Sequence, residues 1–228
     1  MKQKRQIKQE KQDKSMNSTA LYGRLHRLLA RFVLWLFRVR VHFADREPSD
    51  YNYLLCCNHL SAVDPVLLAA ACKCQQPHFM AKKELFKIPV LAGLIRTLGA
   101  FPVDRAGDLG AIRTSISLLE SGKCVGMFPQ GTRCPGKSPR ETIDRVKNGA
   151  GLLVDRTKVA VLPACLKAKK DKLRLFGGVD LIIGEPIPYE QLVPAEGEAL
   201  SHKDLYSHIS HIIFERICAL YEGTASNE

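Results

Sequence analysis

The sequence predicts an α/β fold: a single domain with a mixed, largely parallel sheet flanked by helices, preceded by an N-terminal amphipathic helix. Three observations carry this. Short apolar runs of strand length alternate with longer segments of helical periodicity, joined by short connections. A chain of 228 residues suits one domain with a substantial core, and no internal repeat divides it. Hydrophobic residues at 46% and charged ones at 25% make an ordinary globular balance.

Residues 1–18 are polar and charge-rich, which predicts a disordered basic tail. They lack the apolar stretch of a secretory signal. From Leu21 to about Val41, Leu21, Leu25, Leu28, Leu29, Phe32 and Leu36 recur at helical spacing, while Arg24, Arg27, Arg31 and Arg38 line another face beside Trp35. The longest uninterrupted apolar stretch there, Phe32 to Phe37, is far short of the ~20 residues that span a bilayer. Region 19–44 is therefore expected to be an amphipathic membrane-interface helix, its arginines drawn to anionic lipids; packing on the protein's own core is the alternative. Residues 45–228 form the body.

Within the body, Tyr51 to Cys57 reads as a buried strand. Asp64-Pro65 then opens the helix Val66 to Ala71, with aspartate as N-cap and proline at the first helical position. His78 to Ala81 reads as a short strand leading into Lys82 to Phe86, and Pro89 to Leu98 as a helix. Residues 108–120 make an amphipathic helix on Leu109, Ile112, Ile116 and Leu119, ended by Gly122. Lys123 to Phe128 is a strand whose end turns through Pro129 to Arg133. A helix over Ile143 to Thr157 must accommodate Gly149 and Gly151. Strands are expected at Val159 to Leu166, Leu173 to Phe176 and Val179 to Ile183, and a last helix at Lys203 to Tyr221.

The net charge of +11 is unevenly spread. The first 40 residues hold eleven Lys/Arg against Glu10 and Asp13, a surplus of nine, and the other 188 residues carry the remaining two. Such confinement argues against an extended nucleic-acid groove, so no nucleic-acid partner is expected. Several of the eight cysteines lie in strand-like apolar runs, where a free thiol behaves as a small hydrophobe; with no secretory signal, no disulfides are expected. Cys72-Lys73-Cys74 with His78 lacks the spaced pairs of a zinc site, and no metal is expected.

Three chemically rich segments fall at predicted strand ends, where ligands gather in sheets of this kind: Asn58 to Asp64, Phe101 to Arg105, and Phe128 to Arg133. In the first, His59 can take a proton from a hydroxyl while Asp64 orients the imidazole and steadies its positive charge. Residues five apart on one helix lie on different faces, so the pair meets only if the chain turns between them, from a strand end into a helix start. An Asp-Pro step caps a helix with or without a histidine nearby, so the pair needs its companions to carry weight.

Together these segments resemble the glycerolipid acyltransferase family, in particular bacterial-type 1-acylglycerol-3-phosphate (lysophosphatidate) acyltransferases. Four blocks carry the resemblance: Asn58-His59-Leu60-Ser61-Ala62-Val63-Asp64-Pro65; Gly99-Ala100-Phe101-Pro102-Val103-Asp104-Arg105; Phe128-Pro129-Gln130-Gly131-Thr132-Arg133; and, more weakly, Val161-Leu162-Pro163. It runs from about Tyr53 to Ile187. The family usually carries glutamate where this chain has Gln130, which keeps the carbonyl acceptor and loses the charge.

The resemblance implies transfer of an acyl chain from acyl-CoA or acyl carrier protein, as co-substrate, to the sn-2 hydroxyl of 1-acylglycerol-3-phosphate, giving phosphatidic acid. His59 is then the base and Asp64 its orienter, with no cofactor. Asn58, Lys82, Arg105, Gln130, Gly131, Thr132, Arg133 and Pro163 are expected to bind substrate. The arginines and Lys82 would take the phosphate, Gly131 and Thr132 would offer backbone donors and close approach, and Pro163 would shape the acyl-donor side. Anionic lipids at the cytoplasmic face of the cell membrane are the expected surroundings. Another lysophospholipid or an ornithine lipid as acceptor stays open, as does a non-catalytic basic membrane- or nucleic-acid-binding protein.

Overall fold

The computed structural model describes residues 30–88, 92–93, 95–96, 99–103, 109–194 and 200–223. The expected basic tail, residues 19–29 of the expected interfacial helix, most of the expected helix from Pro89 to Leu98, and Arg105 lie outside them.

Among the described residues the strands form one seven-stranded sheet: β1 (Val39–His42), β2 (Tyr53–Cys57), β3 (His78–Lys82), β4 (Phe101–Val103), β5 (Val125–Met127), β6 (Ala160–Ala168) and β7 (Val179–Ile183). Their order across the sheet is β1-β7-β6-β2-β5-β3-β4. Every pairing is parallel except β6 with β7, so the expectation of a mixed, largely parallel sheet holds. The sequence of β2 explains its central place. All five of its residues are buried, and a strand covered on both faces must be apolar throughout.

Helices cover both faces. On one face α1 (Asp64–Ala71) packs Leu67, Leu68, Ala69 and Ala71 against Tyr53, Leu55, Leu162, Ala164 and Leu181. On the other lie α2 (Leu109–Glu120), α3 (Gly149–Thr157) and α4 (His202–Gly223). In α4, Ile209, Ile213, Phe214 and Ile217 recur on one face and are fully buried against Leu54, Val161, Cys165 and Ile182. Gly151 lets α3 approach α4: a Cβ there would collide with the backbone of Tyr206.

The structure departs from the sequence expectations in three places. Helix in the N-terminal segment stops at residue 36, and Val39–His42 instead pairs with β7 as an edge strand. Arg38, with φ 48°, makes the break, and the apolar-polar alternation of Val39, Arg40 and Val41 suits a half-covered strand. The stretch expected as a helix from Ile143 splits into a 3-10 turn, Arg140–Arg145, and α3, with Gly149 opening the second part. Leu173 to Phe176 is loop, not strand, because Phe176 takes the left-handed conformation at φ 56°.

No helix among the described residues is long and apolar enough to cross a membrane. The fold's consequence for function is directional. β2, β3, β4, β5 and β6 run the same way, so the segments following them emerge at one edge of the sheet.

Candidate active site

The chain leaves β2 at Cys57 and turns before α1. In that turn His59 Nδ1 meets Asp64 Oδ2 at 2.8 Å. Because an ionised carboxylate can only accept, this bond places the ring proton on Nδ1 and leaves the lone pair on Nε2. The same oxygen accepts the backbone N–H groups of Leu60 at 2.6 Å and Ser61 at 2.7 Å. Asp64 is fully buried, whereas the His59 side chain keeps 17% exposure. The sequence suggested Asp64 as a helix N-cap. It lies in the first turn of α1 instead, and its carboxylate reaches back over the loop. One side chain thereby shapes the turn and orients the imidazole.

A second segment clamps His59 from the end of β5. Gln130 Oε1 accepts the His59 N–H at 2.7 Å, and the Cys134 N–H donates to the His59 carbonyl at 2.7 Å. Gln130 Nε2 donates to Thr142 Oγ1 at 2.7 Å, and Thr142 in turn donates toward the Pro139 carbonyl at 3.0 Å. The imidazole stacks on Phe128, with centroids 4.0 Å apart and planes 13° from parallel, and Phe128 stacks on Phe79. Gly126 makes this possible, since a Cβ there would run into the Phe79 ring.

The residues expected from the sequence divide clearly. His59 and Asp64 are brought together. Thr132 and Arg133 are exposed on the turn after β5, and Lys82 is exposed at the end of β3, all at the sheet edge that carries His59. Lys82 pairs in register with Val103, two residues before Arg105, which lies outside the described residues.

Four expectations of substrate contact meet different surroundings. Gln130 is 2% exposed and both ends of its amide are engaged, so it props His59 from behind. Asn58 is 1% exposed and exchanges two hydrogen bonds with the Leu166 backbone, tying the end of β2 to β6. The Gly131 N–H closes a turn onto the Phe128 carbonyl at 2.9 Å and is not available as a donor; the glycine is needed for its φ of 66°. Pro163 lies in the middle of β6, where it lines a separate cleft with Arg46, Glu185 and Leu220. It falls in step with Val161 and Cys165, on the face opposite the cluster that Phe128 joins.

Sequence reasoning missed the supporting roles of Phe79, Thr142 and Lys147. The Lys147 N–H donates to the Pro129 carbonyl, and its stem lies over Gly131. Phe128 stood in plain view within the third block, but nothing in the sequence pairs its ring with His59. Among the described residues no cluster of His, Cys, Asp and Glu could hold a metal. The cysteine nearest the site in sequence, Cys57, is fully buried, and burial pushes its thiol well up.

A histidine oriented by a buried carboxylate, beside exposed cations at the open edge of a parallel sheet, suits proton transfer to or from an anionic substrate. Comparison with known proteins gives this geometry a family. The chain is 33% identical over 176 residues to the 1-acyl-sn-glycerol-3-phosphate acyltransferase of Bacillus subtilis strain 168, covering 72% of this chain and 85% of that protein. It is 31% identical over 201 residues to the enzyme of the same name from Streptococcus pneumoniae, covering 85% and 73%. The fold is shared with the crystal structure of the 1-acyl-sn-glycerophosphate acyltransferase PlsC from Thermotoga maritima, at TM-score 0.64 and 23% identity over 90% of this chain and 80% of that one. With the acyltransferase family model matching residues 38–167, the chain belongs to the acyltransferase family and is an acyltransferase.

Proposed function

We propose that the protein transfers a fatty acyl chain from acyl-CoA or acyl carrier protein to the sn-2 hydroxyl of 1-acylglycerol-3-phosphate, a step of phospholipid biosynthesis that yields phosphatidic acid. The observation that carries this reading is the His59–Asp64 pair, buried on the aspartate side and partly open on the histidine side. The relatives' name, 1-acyl-sn-glycerol-3-phosphate acyltransferase, supports the choice of acceptor.

In the proposed reaction Nε2 of His59 takes the proton of the sn-2 hydroxyl as its oxygen attacks the thioester carbonyl. Asp64 stabilises the imidazolium that forms. Collapse of the tetrahedral intermediate breaks the carbon–sulfur bond, and the imidazolium returns its proton to the departing thiolate. Atoms and charge balance with no cofactor. Direct transfer is preferred to a cysteinyl intermediate because burial holds the Cys57 thiol in its protonated, poorly nucleophilic form. Arg133, Lys82 and Arg105 are the cations proposed for the acceptor phosphate, with Lys147 beside the turn as a further candidate. Gln130 and Asn58 position the site without touching substrate. In this reading the protein works peripherally at the cytoplasmic membrane face, among anionic lipids.

The test is acyl transfer from labelled acyl-CoA, and separately from acyl carrier protein, to lysophosphatidate in detergent micelles, with His59→Ala alongside. Product from the native chain alone, at unchanged thermal stability of the variant, is the expected result. Equal turnover by His59→Ala would overturn the assignment of the base. Arg105→Ala should chiefly raise KM for the phosphate-bearing acceptor.

A further inference from the structure

The loop joining β6 to β7, residues 169–178, reads Lys-Lys-Asp-Lys-Leu-Arg-Leu-Phe-Gly-Gly. Lys169, Lys170, Lys172 and Arg174 line a shallow cleft of about 330 Å³ together with Gly177. The loop's one acid, Asp171, accepts the Tyr221 hydroxyl at 3.0 Å and belongs to the protein side. Beside the cations the loop presents large apolar groups to solvent: Leu175 at 60% exposure and Phe176 at 46%.

This loop is joined to the end of the N-terminal helical segment. The Phe176 N–H donates to the Leu36 carbonyl at 2.8 Å. The Phe176 ring meets Trp35 edge-on at 5.4 Å, and Trp35 meets Phe32 at 5.9 Å. Trp35 and Phe32 are themselves 62% and 55% exposed. Phe32, Trp35 and Phe176 thus make one aromatic patch assembled from segments 140 residues apart, and the loop that supplies Phe176 also carries exposed Leu175 and the four cations. Lys170, Asp171 and Phe176 all hold positive φ, a conformation side chains adopt reluctantly and keep only where the surroundings enforce it. The loop is shaped to hold Phe176 outward.

Topology aims the patch. β6 runs parallel to β2, so its following loop leaves the same sheet edge as the turn carrying His59. β1 starts at that edge too, since Val39 pairs with Val179 and Val179 with Ala168. Two backbone bonds link the patch to the site: Gly136 N–H to the Asp171 carbonyl, and Cys134 N–H to the His59 carbonyl, each 2.7 Å.

We propose that this loop and the Phe32–Trp35 end of the helical segment form a docking surface for a bilayer containing anionic lipids, with the aromatics in the headgroup boundary and the four cations against lipid phosphates. Charge complementarity selects this occupant: exposed aromatics rimmed by lysine and arginine fit an apolar layer beneath an anionic one. The surface deepens the lipid acyltransferase reading and rests on it for its purpose, which is to hold the open edge of the site where a lysophospholipid lies. Its test does not depend on that reading.

Trp35 is the single tryptophan of the chain, so its fluorescence reports on the patch alone. The full-length protein is titrated with phosphatidylcholine vesicles and with vesicles also containing phosphatidylglycerol, some carrying brominated acyl chains. A blue shift and bromine quenching on the anionic vesicles are expected. Replacing Lys169, Lys170 and Lys172 by alanine should weaken partitioning about five-fold per charge, about 100-fold together. Phe176→Gly should remove the aromatic at a backbone suited to glycine, keeping thermal stability while reducing partitioning. Binding of the protein to vesicles with no change in Trp35 emission would overturn the proposal, as would self-association abolished by Phe176→Gly, which would assign the patch to a second copy. A response to oligonucleotide in place of vesicles would likewise overturn it. Transfer to a short-chain, water-soluble lysophosphatidate should be unchanged in the triple-alanine variant, and its loss would move those lysines into substrate binding and overturn the docking role. Absence of that activity in the native protein would sink the catalytic reading and leave the fluorescence result to decide the surface.

Discussion

Replacing Asp64 by asparagine separates the two jobs of that carboxylate. Three donors converge on Oδ2, from His59 Nδ1, Leu60 N and Ser61 N, while Oδ1 is buried with no hydrogen bond among the described residues. An asparagine oxygen can take the place of Oδ2, so the turn and the imidazole stay put and only the charge is lost. An imidazolium and a carboxylate whose charge centres lie about 4 Å apart attract by ~4 kcal/mol at an effective dielectric of ~20. Loss of that stabilisation as the proton reaches His59 should slow acyl transfer ~10³-fold. The amide NH₂ falls where Oδ1 was, buried and unpaired, at a stability cost of about 1–3 kcal/mol. Asp64→Ala strands all three donors and should cost more. Single-turnover acyl transfer to lysophosphatidate, paired with urea unfolding, measures both effects. A rate within ~10-fold of native for Asp64→Asn, at an intact fold, would show that the carboxylate merely shapes the turn.

The clamp on His59 makes a parallel case: Gln130→Leu should lose about 1–3 kcal/mol by leaving the part-buried His59 N–H without an acceptor. Gln130→Glu keeps an acceptor there and can receive the Thr142 hydroxyl as donor, so it should retain both stability and turnover; equal loss in the two variants would refute the clamp. Gly126→Ala should destabilise by about 1–3 kcal/mol and lower kcat, because the new methyl displaces Phe79 and through it the Phe128–His59 stack; unfolding and turnover measured together check this. At the far edge of the sheet, hydrogen bonds from Arg40, and then His42, hold the Asp180 carboxyl below its usual range. A depressed folded-state value means that its stabilising effect is present above the unfolded carboxylate value of ~3.9 and fades as pH falls through the folded one. The Tm gap between native protein and Asp180→Asn should therefore hold near neutrality and close in acid below that range. A gap unchanged into strong acid would show that the pairing does not operate.

What the sequence by itself determined is what each segment could be. The apolar run before Asn58 suits a covered strand, the helical periodicities of the body suit helices laid on a sheet, and His59 and Asp64 could meet only through a turn between them. These are local consequences of side-chain chemistry over a few residues. The tertiary structure decided which partner each polar group chose. Gln130 and Asn58 look like substrate ligands because amides bind hydroxyls well, yet their partners lie 71 and 108 residues away in sequence, on the His59 and Leu166 backbones. Pro163 sits in a strand whose alternation turns it to the other face, a choice set by register. Val39–His42 ended a helical pattern and became an edge strand because β7 offered unpaired backbone groups beside it. The patch around Trp35 and Phe176 was legible only in part: Phe32 and Trp35 belong to the basic amphipathic pattern, but only the sheet order brings the loop after β6 beside them.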